Sequence, residues 1–255
     1  MLNLNKFYNI HEGETCYIFG DGPSIKYFDL KKFNDYLGIA CGNQIFHNDF
    51  NKLNIKYYTV PEPWLFCNKI FQRHKFLRDY RPLTFHLKKK ILINKHIKFF
   101  INLSNFGSLN NSNVHYVHRI LSKFSSVFSK FKNIDPFKGS FYSSLSLAYY
   151  MGFKKIYVIG HDAWTIKKNS SQRWYEYGKG ITSNIENFKK DNYIKQLEKE
   201  IDITSIILDN NSMNIKSCTY KEFTGLDPKY CENNELVSMD NLKVFNTFPG
   251  YKIFK

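Results

Sequence analysis

Residues 138–164 constrain the fold of this chain more than any other stretch, because their pattern is that of a helix, a turn and a buried strand in succession. Leu145 and Ala148 recur at helical spacing, and Gly152 stands where a helix commonly ends. The run Lys155–Ile159 is short, apolar and β-branched, which is typical of a parallel strand covered on both faces. The pattern therefore predicts an α/β protein built around a parallel sheet.

Polar residues at both ends of this unit predict a ligand site. Gly160-His161-Asp162 directly follows the strand, and open α/β sheets bind ligands beyond the carboxyl ends of their strands. Lys138-Gly139-Ser140 precedes the helix and offers a cation, backbone N–H groups and a hydroxyl, with Ser140 as the predicted N-cap. The alternatives are a plain strand-to-loop turn at the first motif and an ordinary capped helix at the second.

Three earlier strand patterns end in a similar way. Residues 16–19, 37–41 and 56–60 are predicted strands, and they are followed by Gly20-Asp21-Gly22-Pro23-Ser24, Gly42-Asn43-Gln44 and Pro61-Glu62-Pro63-Trp64 respectively. A helix is predicted from the first turn to about residue 33, because proline followed by serine makes a good helix start. Compact turns after all these strands predict one site at the carboxyl edge of the sheet. The first turn is neither a P-loop nor a GxGxxG fingerprint, which disfavours a dinucleotide.

Length and composition fit one domain that spans residues 1–255. A chain of 255 residues with 43% hydrophobic content can bury a sizeable core. Further strands are predicted near 97–101 and at 204–208, with a helix over 185–200, whereas residues 213–255 are predicted to be an irregular extension. The predicted fold is Rossmann-like: a mostly parallel sheet with helices on both faces and a small lid segment.

The charge balance favours an anionic partner. The chain has 37 Lys and Arg against 22 Asp and Glu, a formal net charge of +15. Residues 165–188 are polar, aromatic and glycine-containing, and we interpret them as a mobile lid. Arg173, Tyr175 and Tyr177 are the side chains with which such a lid would cover an anionic ligand. A disordered surface loop is the alternative.

Cysteine and apolar patterns indicate the cellular setting. The five cysteines form no CxxC pair and no metal spacing, so we expect free thiols in a reducing compartment and no metal site. No apolar run approaches the ~20 residues of a membrane span, and the N-terminus lacks the apolar core of a signal peptide. We expect a cytoplasmic protein. Its aromatic, basic tail at 244–255 would allow peripheral contact with an anionic membrane on the inner face, and a packed tail is the alternative.

Together these motifs resemble the bacterial sialyltransferases of the Campylobacter lipooligosaccharide type (glycosyltransferase family forty-two) and the related motility-associated-factor and pterin-pyrophosphokinase-like domains. GDGPS at 20–24 is similar to a GNGPS-like turn of that family, and CGNQIF at 41–46 to a CNQ-type segment. KGSFYSSLSLAYYMGFKKIYVIGHD at 138–162 resembles, without a gap, a TSG–helix–strand block. Residues 209–212 fall where the family has a PNS-like turn. The resemblance covers roughly residues 14–64 and 136–212.

The resemblance implies an inverting, metal-independent transfer of a nonulosonic sugar from a CMP-activated donor to a surface glycan, as in lipooligosaccharide biosynthesis. The nucleotide would lie against Gly20, Asp21, Gly22, Ser24, Asn43 and Gln44. The donor carboxylate and phosphate would meet Lys138, Gly139, Ser140, Arg173, Tyr175 and Tyr177, and the acceptor or sugar would meet Glu62 and Trp64. The implied partners are a CMP-linked sugar acid and a glycan or lipid-linked acceptor, with no cofactor; a homo-oligomer is compatible with this reading.

The chain departs from the family at two positions. The family uses a lid histidine as general base, whereas the last histidine here is His161. His161, Asp162 or Glu176 would therefore have to take the proton of the acceptor hydroxyl. Asp21 stands where asparagine is usual, and it brings a negative charge towards the phosphates.

Two other functions fit parts of the pattern. A pterin-type pyrophosphokinase would use ATP and Mg²⁺, with Asp21 and Asp162 as the candidate metal ligands. A basic nucleic-acid-binding protein would account for the charge and the aromatic content. No RRM, KH or helix-turn-helix signature accompanies them, so no nucleic-acid partner is expected.

Overall fold

The computed structural model describes residues 4–66, 81–117, 139–161, 203–209 and 212–228. The predicted lid at 165–188 and the predicted helix at 185–200 lie outside these ranges. None of the helices within the described ranges has the length and apolar character that crossing a membrane requires.

One sheet forms the centre of the protein. Its strands are β1 (Thr15–Phe19), β2 (Leu37–Cys41), β3 (Ile55–Val60), β4 (Lys98–Asn102), β5 (Val114–Val117), β6 (Lys155–Ile159), β7 (Ile203–Asp209) and β8 (Ser212–Cys218). They form an eight-stranded sheet in the order β5-β4-β3-β2-β1-β6-β7-β8. β1 to β6 are all parallel, which confirms the predicted α/β Rossmann-like class, and β7 and β8 are antiparallel.

The strand order reverses beside β1. From β1 the sheet grows in chain order through β2, β3 and β4 to β5, and the chain then returns to place β6 on the other side of β1. The carboxyl ends of β1 and β6 therefore flank a topological switch point. This is the position at which open α/β sheets form their ligand crevice.

Helices cover both faces of the sheet, as predicted. On one face α1 (Arg81–Ile93) buries Ile91 in a cluster that includes Phe19. On the other face α2 (Ser140–Tyr150) buries Leu145 in a second cluster. Alternate residues of β1 contribute to the two clusters, because successive strand side chains point to opposite faces. A strand buried on both faces explains the unbroken apolar run that predicted it.

The prediction of one helix between the first glycine turn and residue 33 is wrong. The structure has two 3-10 helices there, Pro23–Tyr27 and Leu30–Lys32, separated by Phe28 in an extended conformation. Phe28 and Leu30 are both fully buried. Residues two apart point to different sides of an α-helix, so a continuous helix would have exposed one of them.

Part of the predicted irregular extension, which begins at residue 213, is regular. β8 pairs with β7 along its whole length, and the short helix α3 (Tyr220–Thr224) follows it. Asn214 and Lys216 are exposed on β8, an edge strand. These polar residues interrupt the apolar pattern on which the prediction depended, because an edge strand need not be covered.

His47 is a buried histidine at the carboxyl edge of the sheet. It follows the 3-10 helix Gln44–Phe46 and is 3% exposed. The backbone N–H of Asp49 donates to its Nδ1 at 3.1 Å, and burial lowers the pKa of His47 to about 4. The imidazole is therefore neutral in the folded protein at a pH where the unfolded chain protonates it.

Folding stability should fall as the pH decreases from 6.5 towards 4, because only the unfolded chain takes up a proton at His47 in that range. We expect this residue to contribute a loss of about 3 kcal/mol near pH 4. Urea unfolding between pH 7 and 4 measures it. The variant His47→Asn keeps an acceptor for the Asp49 N–H but does not titrate, so its stability should depend less on pH. Equal pH dependence of the two proteins would contradict a neutral His47.

Candidate functional site

Two backbone hydrogen bonds join the turn after β1 to the end of β6. The N–H of Gly20 donates to the carbonyl of Ile159 at 2.8 Å, and the N–H of Gly22 donates to the carbonyl of Gly160 at 2.7 Å. The two strand ends that flank the switch point are therefore one fixed junction rather than two independent loops.

Gly20 lies so close to its neighbours that a Cβ does not fit. A Cβ built there would lie 2.4 Å from the carbonyl oxygen of Gly160 and 2.8 Å from Cδ2 of His161. Glycine is needed at this position for close approach. The backbone at Gly20 therefore forms one wall of the space that the His161 ring occupies.

The His161 ring also contacts β2 and α2. Its centroid is 4.8 Å from that of Phe141 in the first turn of α2. Its Nε2 is 3.8 Å from Sγ of Cys41, the last residue of β2, and this thiol donates to the carbonyl of Phe19 at 3.5 Å. An imidazole is thus held where β1, β2, β6 and α2 meet.

Asp21 packs against the turn that follows β2. A Cβ built at Gly42 would lie 2.5 Å from Oδ2 of Asp21. On the other side of this turn, the hydroxyl of Tyr58 donates to the carbonyl of Gly42 at 2.7 Å and accepts from the N–H of Ile45 at 3.4 Å. Burial raises the pKa of Tyr58, so the phenol keeps the proton that it donates.

Ser24, Asn43 and Gln44, three of the predicted nucleotide-binding residues, are buried at this end of the sheet. Their exposed fractions are 0%, 8% and 0%. Neither Nε2 nor Oε1 of Gln44 has a hydrogen-bond partner within the part of the chain that the structure describes. Buried side-chain amides are nearly always paired, so the unpaired amide of Gln44 is an exception within the described ranges.

Glu62, which follows β3, contacts the start of α2. The hydroxyl of Ser140 donates to Oε1 of Glu62 at 3.2 Å. One helical turn later the hydroxyl of Ser144 donates to the carbonyl of Ser140 at 2.9 Å and lies 2.7 Å from that of Thr59. These contacts fix the N-terminus of α2, whose first N–H groups have no partner within the helix, beside the end of β3.

The prediction that Ser140 is the N-cap is wrong by one residue. Gly139 is the N-cap, with a φ of 142°, and its carbonyl accepts from the N–H of Ser143 at 3.2 Å. This φ favours a residue without a Cβ. Ser140 is the first residue of α2, and its hydroxyl is therefore turned to Glu62 instead of to the N–H groups of the first turn.

The loop 61–66, which carries Trp64, is tied to the turn after β4. Two side-chain amides donate to carbonyls of the loop: Asn102 Nδ2 to Pro61 at 2.9 Å and Asn105 Nδ2 to Glu62 at 3.0 Å. Two N–H groups of the loop donate in the other direction. That of Trp64 donates to Ser104 Oγ at 2.8 Å, and that of Phe66 donates to Asn105 Oδ1 at 2.7 Å. We call Asn102, Ser104 and Asn105 the clamp. It holds Trp64 at φ 54° with 44% of its surface exposed.

The charged side chains of the predicted site that lie within the described ranges are acidic. They are the carboxylates of Asp21 and Glu62. Six predicted site residues lie outside the described ranges: Lys138, Asp162, Arg173, Tyr175, Glu176 and Tyr177. In those ranges no three His, Cys, Asp or Glu side chains are grouped as metal ligands.

Several residues that form the candidate site were not predicted from the sequence. Cys41 and Phe141 face His161 through the fold alone, and no local pattern marks them. The clamp could have been found, because Asn102 ends β4 and begins a polar turn, as at the other strand ends. The same rule that selected the turns after β1, β2, β3 and β6 applies to it.

Comparison with protein-family models, with curated proteins and with solved structures found no match.

Replacing Gly20 by alanine should destabilise the protein by about 2–3 kcal/mol, because the new Cβ overlaps a backbone oxygen that cannot rotate away. The matched control is Gly107→Ala, where φ is 78° but no atom lies within 4 Å of the built Cβ. That control should cost only the left-handed conformation, about 1 kcal/mol. Urea unfolding of both variants measures the difference. Equal losses would contradict the close approach at Gly20.

Proposed function

We propose that this protein is an inverting glycosyltransferase that moves a nonulosonic, sialic-acid-like sugar from a CMP-activated donor to a glycan acceptor. The observation that carries the proposal is the hydrogen-bonded junction of the turns after β1 and β6 at the switch point. The end of β2 and the start of α2 meet this junction at His161. Nucleotide ligands of α/β sheets bind in such a crevice, and the resemblance of the motifs supplies CMP as the nucleotide.

The nucleotide would lie on the β1–β2 side of the site. The turn that contains Gly20 and Gly22 would lie beside the ribose phosphate, as glycine turns after a first strand do. The amides of Asn43 and Gln44 offer donors and acceptors that match the mixed edge of cytosine. The Asp21 carboxylate would accept hydrogen bonds from ribose hydroxyls, a role that acidic residues have in related folds.

The acidic sugar would lie at the N-terminus of α2. Gly139 and Ser140 would bind its carboxylate with N–H and hydroxyl groups, helped by Lys138. Arg173, Tyr175 and Tyr177 of the lid would neutralise the departing phosphate. Because Ser140 donates to Glu62 in the structure, the donor carboxylate would replace Glu62 as the acceptor of this hydrogen bond.

Transfer forms one bond and breaks another. The acceptor oxygen attacks the anomeric carbon, the bond from that carbon to the phosphate oxygen breaks, and CMP departs with the electron pair. The proton of the acceptor hydroxyl passes to a base, for which the candidates are His161, Asp162 and Glu176. His161 is supported by its fixed position between Gly20, Cys41 and Phe141.

The setting of the proposed reaction is the cytoplasm, with no cofactor besides the donor substrate. The acceptor would be a glycan or a lipid-linked glycan. The net charge of +15 would favour peripheral contact with an anionic membrane surface, and a homo-oligomer is compatible with the proposal.

The carboxylates at this edge favour a second candidate, a pterin-type pyrophosphokinase. Asp21 and Glu62 are both placed at the carboxyl ends of strands. Mg²⁺ is commonly held by one or two carboxylates together with the phosphates of the nucleotide. Such an enzyme would respond to ATP with Mg²⁺ and not to CMP.

Thermal unfolding with added ligands separates the candidates. CMP at about 100 times its dissociation constant should raise the midpoint by about 5–10 °C, because a ligand of the native state stabilises by mass action. ATP with Mg²⁺ and a mixed oligonucleotide should give no comparable rise. A response to ATP with Mg²⁺ alone would favour the pyrophosphokinase, and a response to the oligonucleotide alone would favour a nucleic-acid-binding protein.

Single substitutions test the assigned roles. Asn43→Ala should weaken CMP binding about tenfold, because a hydrogen bond to a buried partner is lost. Ser140→Ala should slow transfer more than it weakens CMP binding, whereas Ser143→Ala in the same helix turn serves as a control and should do neither.

Replacing His161, Asp162 and Glu176 one at a time by Ala should identify one variant that binds donor without turnover. Donor hydrolysis and calorimetry measure both properties. If Asn43→Ala and Ser140→Ala behave like the parent, the assigned site is wrong.

A further inference from the structure

We propose that Cys41 is a positioning residue that decides which nitrogen of His161 carries the lone pair. The sulfur of Cys41 accepts a hydrogen bond from the Nε2–H group of the ring, and the lone pair of the neutral imidazole is then on Nδ1. The catalytic consequence rests on the proposed function: when His161 takes the proton of the acceptor hydroxyl, the proton goes to Nδ1. The assignment of the two nitrogens itself does not depend on the identity of the donor.

The thiol proton of Cys41 is engaged by β1. It is donated to the carbonyl of Phe19, the last residue of that strand, at a distance of 3.5 Å. A thiol has one proton, so in a second hydrogen bond its sulfur has to accept. Nε2 of His161 lies 3.8 Å from this sulfur. Because the hydrogen bond made by one ring nitrogen sets the tautomer of a histidine, the contact selects the form that is protonated at Nε2.

The Nε2 side of the ring is lined by the protein itself. A Cβ built at Gly20 would lie 2.8 Å from both Cδ2 and Cε1 of His161, which are the two carbon atoms bonded to Nε2. Cys41 is 1% exposed. His161 as a whole is partly exposed. With backbone and a buried thiol beside Nε2, contact with a substrate falls to Nδ1.

Phe141 holds the orientation of the ring. Its centroid lies 4.8 Å from that of His161, with an angle of 54° between the two ring planes. Phe141 is itself buried in the apolar cluster that α2 shares with the sheet. A half-turn of the imidazole would exchange Nε2 with Cε1, so a C–H group would face the sulfur and the hydrogen bond would be lost. The packing and the hydrogen bond therefore favour the same orientation.

This arrangement suits a base that has to take up one proton without turning. As the acceptor oxygen bonds to the anomeric carbon, its proton passes to the lone pair on Nδ1, and CMP departs with the electron pair of the broken bond. His161 then has a proton on each nitrogen. The Nε2–H group can stay on the sulfur of Cys41 throughout, because the thiol still donates its own proton to Phe19. A base that is already oriented needs no rearrangement at the moment of reaction.

Nitrogen-15 NMR of the full chain with labelled histidine measures the tautomer. Correlations between the ring C–H protons and the ring nitrogens distinguish a protonated nitrogen from one with a lone pair, and His161→Gln identifies the signals of this ring. In mildly alkaline buffer we expect a protonated Nε2 whose proton exchanges slowly enough to be observed. Cys41→Ala should lose that proton signal and shift both nitrogens, whereas Cys41→Ser, which keeps an acceptor, should retain the signal in part. The control Cys16→Ala changes an equally buried cysteine of β1 and should leave the signals as in the parent.

A lone pair on Nε2 and a proton on Nδ1 in the parent would overturn the proposal. So would His161 signals that are the same in Cys41→Ala and in the parent. Both results are independent of CMP. If the parent shows no response to CMP, the CMP donor is overturned, while the nitrogen signals still decide the role of Cys41.

Turnover of the donor tests the catalytic consequence. Cys41→Ala should keep the CMP-induced rise in the unfolding midpoint and lower kcat about tenfold with little change in KM, because part of the contribution of a general base is lost with its tautomer. Cys41→Ser should recover part of kcat, and Cys16→Ala should match the parent. Altered His161 signals with an unchanged kcat would overturn Nδ1 as the proton acceptor and leave Asp162 and Glu176 as the candidate bases.

Discussion

The two backbone hydrogen bonds between the glycine turn after β1 and the end of β6 are the interaction on which the rest of the site depends. They connect two parts of the chain that are about 140 residues apart in sequence, Gly20 and Gly22 with Ile159 and Gly160. Backbone groups at buried strand ends must be paired, and here each turn satisfies the other. Because this junction holds His161 at the end of β6, the His161 ring contacts both Cys41 at the end of β2 and Phe141 in the first turn of α2.

Several residues of the candidate site have locally unfavourable burial or backbone conformation. Gln44 and His47 are polar side chains buried beside β2, and Trp64 has a backbone conformation that few tryptophans adopt. The turn that leads to Gln44 is hydrogen-bonded to Tyr58 of β3, and the loop of Trp64 is hydrogen-bonded to the clamp. Burial of the apolar clusters on the two faces of the sheet stabilises the fold and offsets these unfavourable terms. Functional sites in folded domains are where such local exceptions concentrate.

Prediction from sequence succeeded where a residue pattern was decided locally. β2 and β6 have the predicted bounds, and α2 ends before Gly152 as expected. It failed where neighbours override a local preference. The segment after β1 forms two 3-10 helices because Phe28 and Leu30 are both drawn into the core, and β8 was missed because its exposed face is polar. The cap of α2 lies at Gly139, and the hydroxyl of Ser140 donates instead to Glu62, which lies far away in sequence.

The sequence by itself determined the class of fold and the edge of the sheet at which the compact polar turns gather. Apolar runs buried on both faces require a covered parallel sheet, and turns follow its strands at one end. Only the tertiary structure decided which side chains meet there. Contacts such as Cys41 with His161, Ser140 with Glu62, and the clamp with the loop of Trp64 join residues that no sequence period relates. The reason is physical: hydrophobic periodicity places a residue on a face of its own element, whereas the partner across a sheet edge depends on strand order, and strand order is a property of the whole chain.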